Sequence, residues 1–277
     1  MSFKIVADSS SNLYYVDKYD YSFVPLKINC EGHEFVDTPS LDIAEMNRVL
    51  YETKSRSGTS CPNSQEWLDA FNGASEVFAV TITSKLSGSY AAAKVAADEY
   101  KAVNAAVKIC VFDSLSTGPE MCLIIEKIIE CDKKGMSFEE TEAVVREYIK
   151  HTHLLFSLKS MNNLARNGRI SMAKAKIAGV LGIRAIGIAS EIGTLEMLHK
   201  CRGEAKNLET ILQSMIDTGY EGARAIISHC FNIEAAEKLK ALIVEKFRKA
   251  KVEITKTGGL CSFYAEDGGL LIGYECK

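Results

Sequence analysis

The sequence predicts an α/β fold of two domains, and three observations lead there. Through the first half, short apolar runs alternate with helical patterns of about 10–15 residues, which is how βαβ units around a mostly parallel sheet read in sequence. Near residue 150 the pattern changes to an α+β alternation in which strands also follow one another directly. The length of 277 residues suits two modest domains at about 150 residues each. The expected division is 1–150, an N-terminal domain with a mostly parallel sheet, and 151–277, an α+β C-terminal domain.

The elements follow in order. Phe3 to Ala7 reads as a strand that breaks into the polar cluster Asp8-Ser9-Ser10-Ser11. Phe23 to Ile28 is a second strand, with Glu34 to Val36 as a short partner. Leu41 to Thr53 has helical spacing at Ile43, Met46, Val49 and Leu50. Pro62 suits the first position of a helix through Trp67, Leu68 and Phe71, because its missing N–H would lack a partner there anyway. Strand Val77 to Thr83, a helix from Leu86 through Val95, strand Val107 to Phe112 and a helix from about Gly118 to Cys131 repeat the unit. Ser137 to Ile149 is helical and His151 to Ser157 starts the second half. Beyond it come a helix near Leu158 to Ala165, the turn Arg166-Asn167-Gly168-Arg169, and the segment Ala173 to Val180. Strands at Ile183 to Ala189 and Thr194 to Cys201 flank a turn at Glu191 to Gly193. Helix 204–217, strand 223–228, helix 232–249, a strand near 251–256 and a last strand from Gly269 to Tyr274 complete the chain.

Composition excludes several classes. With 47% hydrophobic and 25% charged residues, this is not a disordered, collagen-like or coiled-coil chain. A net charge of −3 and a pI near 6.0 argue against nucleic-acid binding through bulk charge. The longest uncharged apolar stretch, Ile177 to Ile183, is far short of the about 20 residues of a transmembrane helix, and the opening MSFKIVADSSS lacks a signal-peptide core. Nine cysteines, an odd number without C-x-x-C spacing, point to free thiols and a cytoplasmic location.

In an open α/β sheet, ligands bind beyond the carboxyl ends of the strands. Here those ends carry Asp8-Ser9-Ser10, Ser84 to Ser89 and Asp113-Ser114, and the pair Thr59-Ser60 precedes the proline-led helix. Unpaired N–H groups at the helix starts after Thr59-Ser60 and at Ser87-Gly88, joined by side-chain hydroxyls, would suit a carboxylate or phosphate oxygen. Helix capping and turn formation account for each of these residues separately, so both readings stand. Residues 159–206 hold nine basic side chains against three acidic ones, a net +6 that leaves −9 for the remainder. Within that segment, Arg166-x-x-Arg169 and Arg202 are the candidates for an anionic group or an acidic partner surface.

Other chemistry is weaker. His151 and His153 would share one side of a strand, but no neighbouring ligand completes a metal set. There is no G-x-S-x-G, P-loop or G-x-G-x-x-G signature. Cys61 is a packed thiol or a reactive one at a helix start, and Asp8 with Ser9 a capped turn or a nucleophile pair.

Several segments in order resemble the DegV family of bacterial fatty-acid-binding proteins: KIVADSSSNL (4–13), VPLKI (24–28), Thr59-Ser60-Cys61-Pro62, TSKLSGSYAAA (83–93), VFDSLSTG (111–118), LARNGRIS (164–171), Arg202 and the closing GGLLIGY. The resemblance spans essentially the whole chain and implies a DegV-like fold with a lipid site between its two domains. It implies a carrier rather than an enzyme: no cofactor or metal, and one long-chain fatty acid such as palmitate as ligand. The acid's carboxylate would meet Thr59 and Ser87, with Ser60 and Gly88 beside them. Arg169 and Arg202 would serve a separate fatty acid kinase or the phosphate it transfers. The chain departs from the family pattern in T-S-C-P for T-S-Q-P, S-G-S-Y-A for S-G-T-Y-Q, and Arg184-Ala185 for lysine-proline. Where the family has a histidine before a G-P-G turn, Tyr264 and Glu266-Asp267-Gly268 stand, and a tyrosine can still hydrogen-bond a carboxylate. The alternative is an enzyme or phosphotransfer component using Asp8, Ser9 or Asp113.

Overall fold

The computed structural model describes residues 3–52, 57–172 and 182–276. The expected segment Ala173 to Val180, with Lys174 and Lys176, lies outside the described residues, as does Thr53. The first half runs β1 (Lys4–Asp8), β2 (Asp20–Val24), β3 (Lys27–Cys30), β4 (His33–Val36), α1 (Ile43–Glu52), β5 (Ser57–Ser60), α2 (Ser64–Phe71), β6 (Glu76–Thr81), α3 (Ser89–Val103), β7 (Lys108–Asp113), α4 (Pro119–Lys133) and α5 (Phe138–Tyr148). The second runs β8 (Thr152–Leu158), α6 (Asn162–Arg166), β9 (Ile183–Ala189), β10 (Leu195–Arg202), α7 (Glu204–Asp217), β11 (Arg224–His229), α8 (Ile233–Lys246), β12 (Lys251–Lys256), α9 (Gly259–Ala265) and β13 (Leu270–Glu275).

Strands β2-β1-β6-β7 form an all-parallel sheet, as the βαβ pattern requires. Both faces are buried, so the strands are apolar at successive positions. Ile5, Phe78, Val80 and Phe112 pack with Met121, Ile124, Ile125 and Ile128 of α4. The alternating residues Val6, Val77, Ala79 and Val111 pack on the other face with Trp67 and Phe71 of α2 and Ala93, Ala96 and Ala97 of α3. A second sheet, in order β10-β9-β8-β13-β11-β12, is antiparallel except for the β11–β12 pair. One of its faces, with Leu155, Ile186, Ile227 and Ile272, is covered by α7 and α8 through Leu208, Ile211, Leu239 and Ile243. The opposite face presents Leu154, Phe156, Leu158 and Leu271 toward α6 and α9. Strands β4-β3-β5 make a small antiparallel sheet, on which Met46 of α1 and Phe263 of α9 close a further core with Ile28.

Several sequence expectations shift. The run Phe23 to Ile28 is two strands in two sheets, because Pro25, without an N–H, falls between Val24 and Lys27. Pro62 precedes the helix rather than opening it: Asn63 is the N-cap, accepting from the Glu66 N–H at 2.9 Å, while the Glu66 side chain accepts from the Asn63 N–H. Leu158 ends a strand, so α6 is shorter than expected and starts at Asn162. Helix α9 has no counterpart in the sequence reading, which left residues 257–268 without an element. His151 closes a 3-10 turn and His153 stacks at a tilt on Tyr274, and among the described residues no group of three or more His, Cys, Asp or Glu could hold a metal ion.

Gly118 shows how tightly the two sheets meet. It has φ +59°, its N–H donates to Ser10 O at 2.8 Å, and a Cβ there would come within 3.2 Å of Leu271 Cδ1. Glycine alone meets both demands without strain.

Candidate functional site

Beyond the carboxyl ends of the parallel strands, between that sheet and the Leu154–Phe156–Leu158 face of the second, lies a cavity enclosing about 1030 Å³, including the space at its mouth. Its walls are mostly hydrocarbon. Leu154, Phe156 and Leu158 project from alternate positions of β8, with Leu195 of β10 and Leu271 of β13 on the same side. Ile82, Leu86, Leu164 and Leu260 continue the lining.

Apart from Thr117, which follows β7, the hydroxyls of the lining collect where four segments converge. Thr59, on β5 opposite Ile28, shares a 2.8 Å hydrogen bond with the hydroxyl of Tyr264 on α9. The loop after β5 meets the start of α3, since a Cβ on Gly88 would sit 3.1 Å from Cys61 Sγ. Ser87 Oγ accepts the Ser89 N–H at 3.3 Å just ahead of α3, whose N-cap is Gly88, and the same serine lines the cavity. From the turn after α6, Arg169 donates Nε–H to Leu86 O at 3.1 Å and lies 5.7 Å over the Tyr264 ring. Burial pushes the Tyr264 phenol above its ordinary value, although the Thr59 hydrogen bond and the Arg169 charge act the other way. The hydroxyl thus stays protonated at neutral pH and can donate to an anion.

The residues singled out from sequence divide cleanly. Thr59, Ser60, Ser87, Gly88, Tyr264, Arg169 and Cys61 all line this one cavity. Arg202 does not: it is exposed at the end of β10, opposite Ile183. Arg184 turns instead to the chain after α9, donating to Gly268 O at 2.9 Å. Asp8, Ser9 and Asp113 are absent from the lining. Asp8 is fully buried and accepts from the Ile82 N–H at 2.9 Å and Ser89 Oγ at 2.6 Å, and desolvation raises its pKa to about 6 against those bonds. Ser9 Oγ is likewise buried, donating to Asp37 at 2.9 Å and accepting the Leu26 N–H at 3.0 Å. Asp113 accepts the Ser84 and Leu115 N–H groups, each at 3.1 Å. Groups so engaged organise loops and are not presented to a substrate.

Sequence reasoning missed the apolar half of the site. The alternation of Leu154, Phe156 and Leu158 was a signal for a strand face, but nothing in it told that the face borders space. It also missed Asp37, whose buried carboxylate accepts four hydrogen bonds behind the cavity wall.

Similarity to known proteins follows the same outline. A family model described as "Uncharacterised protein, DegV family" matches residues 2–276. A DegV domain-containing protein of Streptococcus pneumoniae is 40% identical over 279 residues, covering 99% of both chains. The structure of a DegV family protein from Eubacterium eligens loaded with heptadecanoic acid is 40% identical, with a TM-score of 0.98 and full coverage of both chains. The Fatty Acid Kinase (Fak) B3 protein of Streptococcus pneumoniae loaded with linoleic acid is also 40% identical, with a TM-score of 0.97 and full coverage of both chains. Matched along nearly its entire length in both sequence and fold, this chain belongs to the DegV family.

Proposed function

We propose that this chain is a carrier that binds one long-chain fatty acid, such as palmitate. The tail fills the apolar cavity, and the carboxylate sits at the end lined by Thr59, Ser60, Ser87, Gly88 and Tyr264. The observation that carries this reading is the segregation of the cavity: hydrocarbon walls along its length and a hydroxyl-rich end beside a single arginine, Arg169. Long apolar tails gain about 0.8 kcal/mol per buried methylene, so such a ligand needs many apolar contacts and few polar ones. Structural relatives at 40% identity carry heptadecanoic and linoleic acids, which supports the ligand class.

The chain itself makes and breaks no bond in this reading. One relative is a fatty acid kinase B protein, which supports delivery of the bound acid to a separate kinase, with Arg169 and Arg202 serving that partner or the phosphate. The units 1–150 and 151–277 would act as the two walls around the tail, in a cytoplasmic protein whose nine cysteines are free. Among the described residues, no helix is long and apolar enough to cross a membrane. Calorimetric titration of delipidated protein with palmitate tests the binding: one equivalent per chain is expected, and no saturable heat would reject the reading.

A further inference from the structure

We propose that Asp37 is the positioning residue of the cavity's polar end: its carboxylate grips the start of α9 and so fixes where the Tyr264 hydroxyl meets Thr59. This inference rests on the fatty-acid reading given above. Asp37 is not itself in the cavity lining, and it acts through the helix whose Leu260 and Tyr264 are.

The grip is complete. Asp37 Oδ1 accepts the Gly259 N–H at 2.6 Å and the Tyr14 hydroxyl at 2.7 Å. Asp37 Oδ2 accepts the Leu260 N–H at 3.0 Å and the Ser9 hydroxyl at 2.9 Å. Beside it, Asn12 Oδ1 accepts the Gly258 N–H at 2.8 Å. The first N–H groups of a helix have no partner within it, and a carboxylate there also meets the favourable end of the helix dipole. Here that carboxylate comes from the residue after β4, more than 200 residues away in sequence, since the Asp37–Gly259 separation is 222.

The approach is close enough to demand glycine. A Cβ on Gly259 would lie 2.7 Å from Asp37 Oδ1 and 2.5 Å from Leu41 Cδ2. Five residues further on, Tyr264 reaches Thr59 at 2.8 Å. At a rise of about 1.5 Å per residue, roughly 7 Å of helix separates the two contacts, so a tilt at one end is carried to the other. Both contacts refer to one small sheet. Asp37 directly follows β4, and its N–H donates to Leu26 O at 2.9 Å, while Thr59 is on β5. Phe263 seals the helix onto that sheet against Ile28 and Met46. The sheet therefore sets the helix at two points, and the polar end of the cavity depends on both.

The experiment titrates delipidated wild type, Asp37→Asn, Tyr264→Phe and the double variant with myristate and with myristyl alcohol of the same chain length. The amide leaves one acceptor oxygen for four donors, so Asp37→Asn is expected to weaken myristate about tenfold and leave the alcohol unchanged. Tyr264→Phe is expected to show the same acid-selective loss, and the double variant to bind no worse than the poorer single one. Should Asp37→Asn fail to fold, Gly259→Ala displaces the helix start from the other side and is expected to give the same selective loss. Equal weakening of acid and alcohol, unchanged acid binding, or losses that multiply in the double variant would each overturn the proposal. Wild-type protein that binds neither ligand would overturn the fatty-acid reading, and this proposal with it.

Discussion

Phe156 offers a sharp perturbation of the tail-binding wall. Its side chain is 3% exposed and faces the cavity from the middle of β8. Across the ladder it pairs with Gly187, where a Cβ would lie 2.2 Å from Phe156 Cζ, so the ring rests on bare backbone. Phe156→Ala removes that ring, and no side chain on Gly187 can fill the space. A buried Phe→Ala change costs about 3–5 kcal/mol of stability, and the void opens onto the ligand's path. A tail two carbons longer can use that void at about 0.8 kcal/mol per methylene, roughly a 15-fold shift in relative affinity. Competition between palmitate and stearate on delipidated wild type and Phe156→Ala measures it, with thermal unfolding of both as the control. The variant is expected to unfold earlier without ligand and to shift toward stearate. Lost stability with the same chain-length preference would refute the placement of the tail along β8.

Two further predictions follow from other contacts. Thr59→Val keeps the β-branched shape on β5 but removes the hydroxyl bonded to Tyr264. Palmitate affinity measured by calorimetry is expected to fall by about 1.5–3 kcal/mol, as for a hydrogen bond to a charged group, and an unchanged affinity would count against this position. Glu120 is fully buried where α4 meets β8, accepting the Thr152 hydroxyl at 2.7 Å, and desolvation raises its pKa from 4.5 to about 7. The folded state then holds a proton that the unfolded state has released, so stability is greatest below about pH 4.5 as far as this group goes, and falls as pH rises toward 7. Glu120→Gln keeps an acceptor for Thr152 without the titration, and denaturant unfolding across pH 5–7.5 is expected to show a flatter slope in the variant than in wild type.

How far the site was legible follows from which signals are local. The parallel sheet was readable because Ile5-Val6-Ala7 and Val77 to Val80 are apolar at consecutive positions and break into polar strand ends, the second ahead of helix α3. The hydroxyls at Thr59 and Ser87 were readable because helix starts and strand ends mark themselves in sequence. Helix α9 was not: its two opening glycines and seven residues look like loop until Asp37, just after the distant strand β4, accepts its first N–H groups. Arg169 and Arg202 looked alike in a basic segment, yet only Arg169 reaches the cavity, because a turn after α6 folds it over Tyr264. Pro62 misled by proximity, since Asn63, the next residue, caps the helix and pairs with Glu66. The resemblance to DegV proteins supplied what no local pattern contains, the lipid.

Native mass spectrometry of the purified chain tests the central claim most directly. The account predicts a mass increment of one fatty acid per chain, lost on delipidation and restored by incubation with palmitate. A folded, delipidated protein that takes up no fatty acid would contradict it.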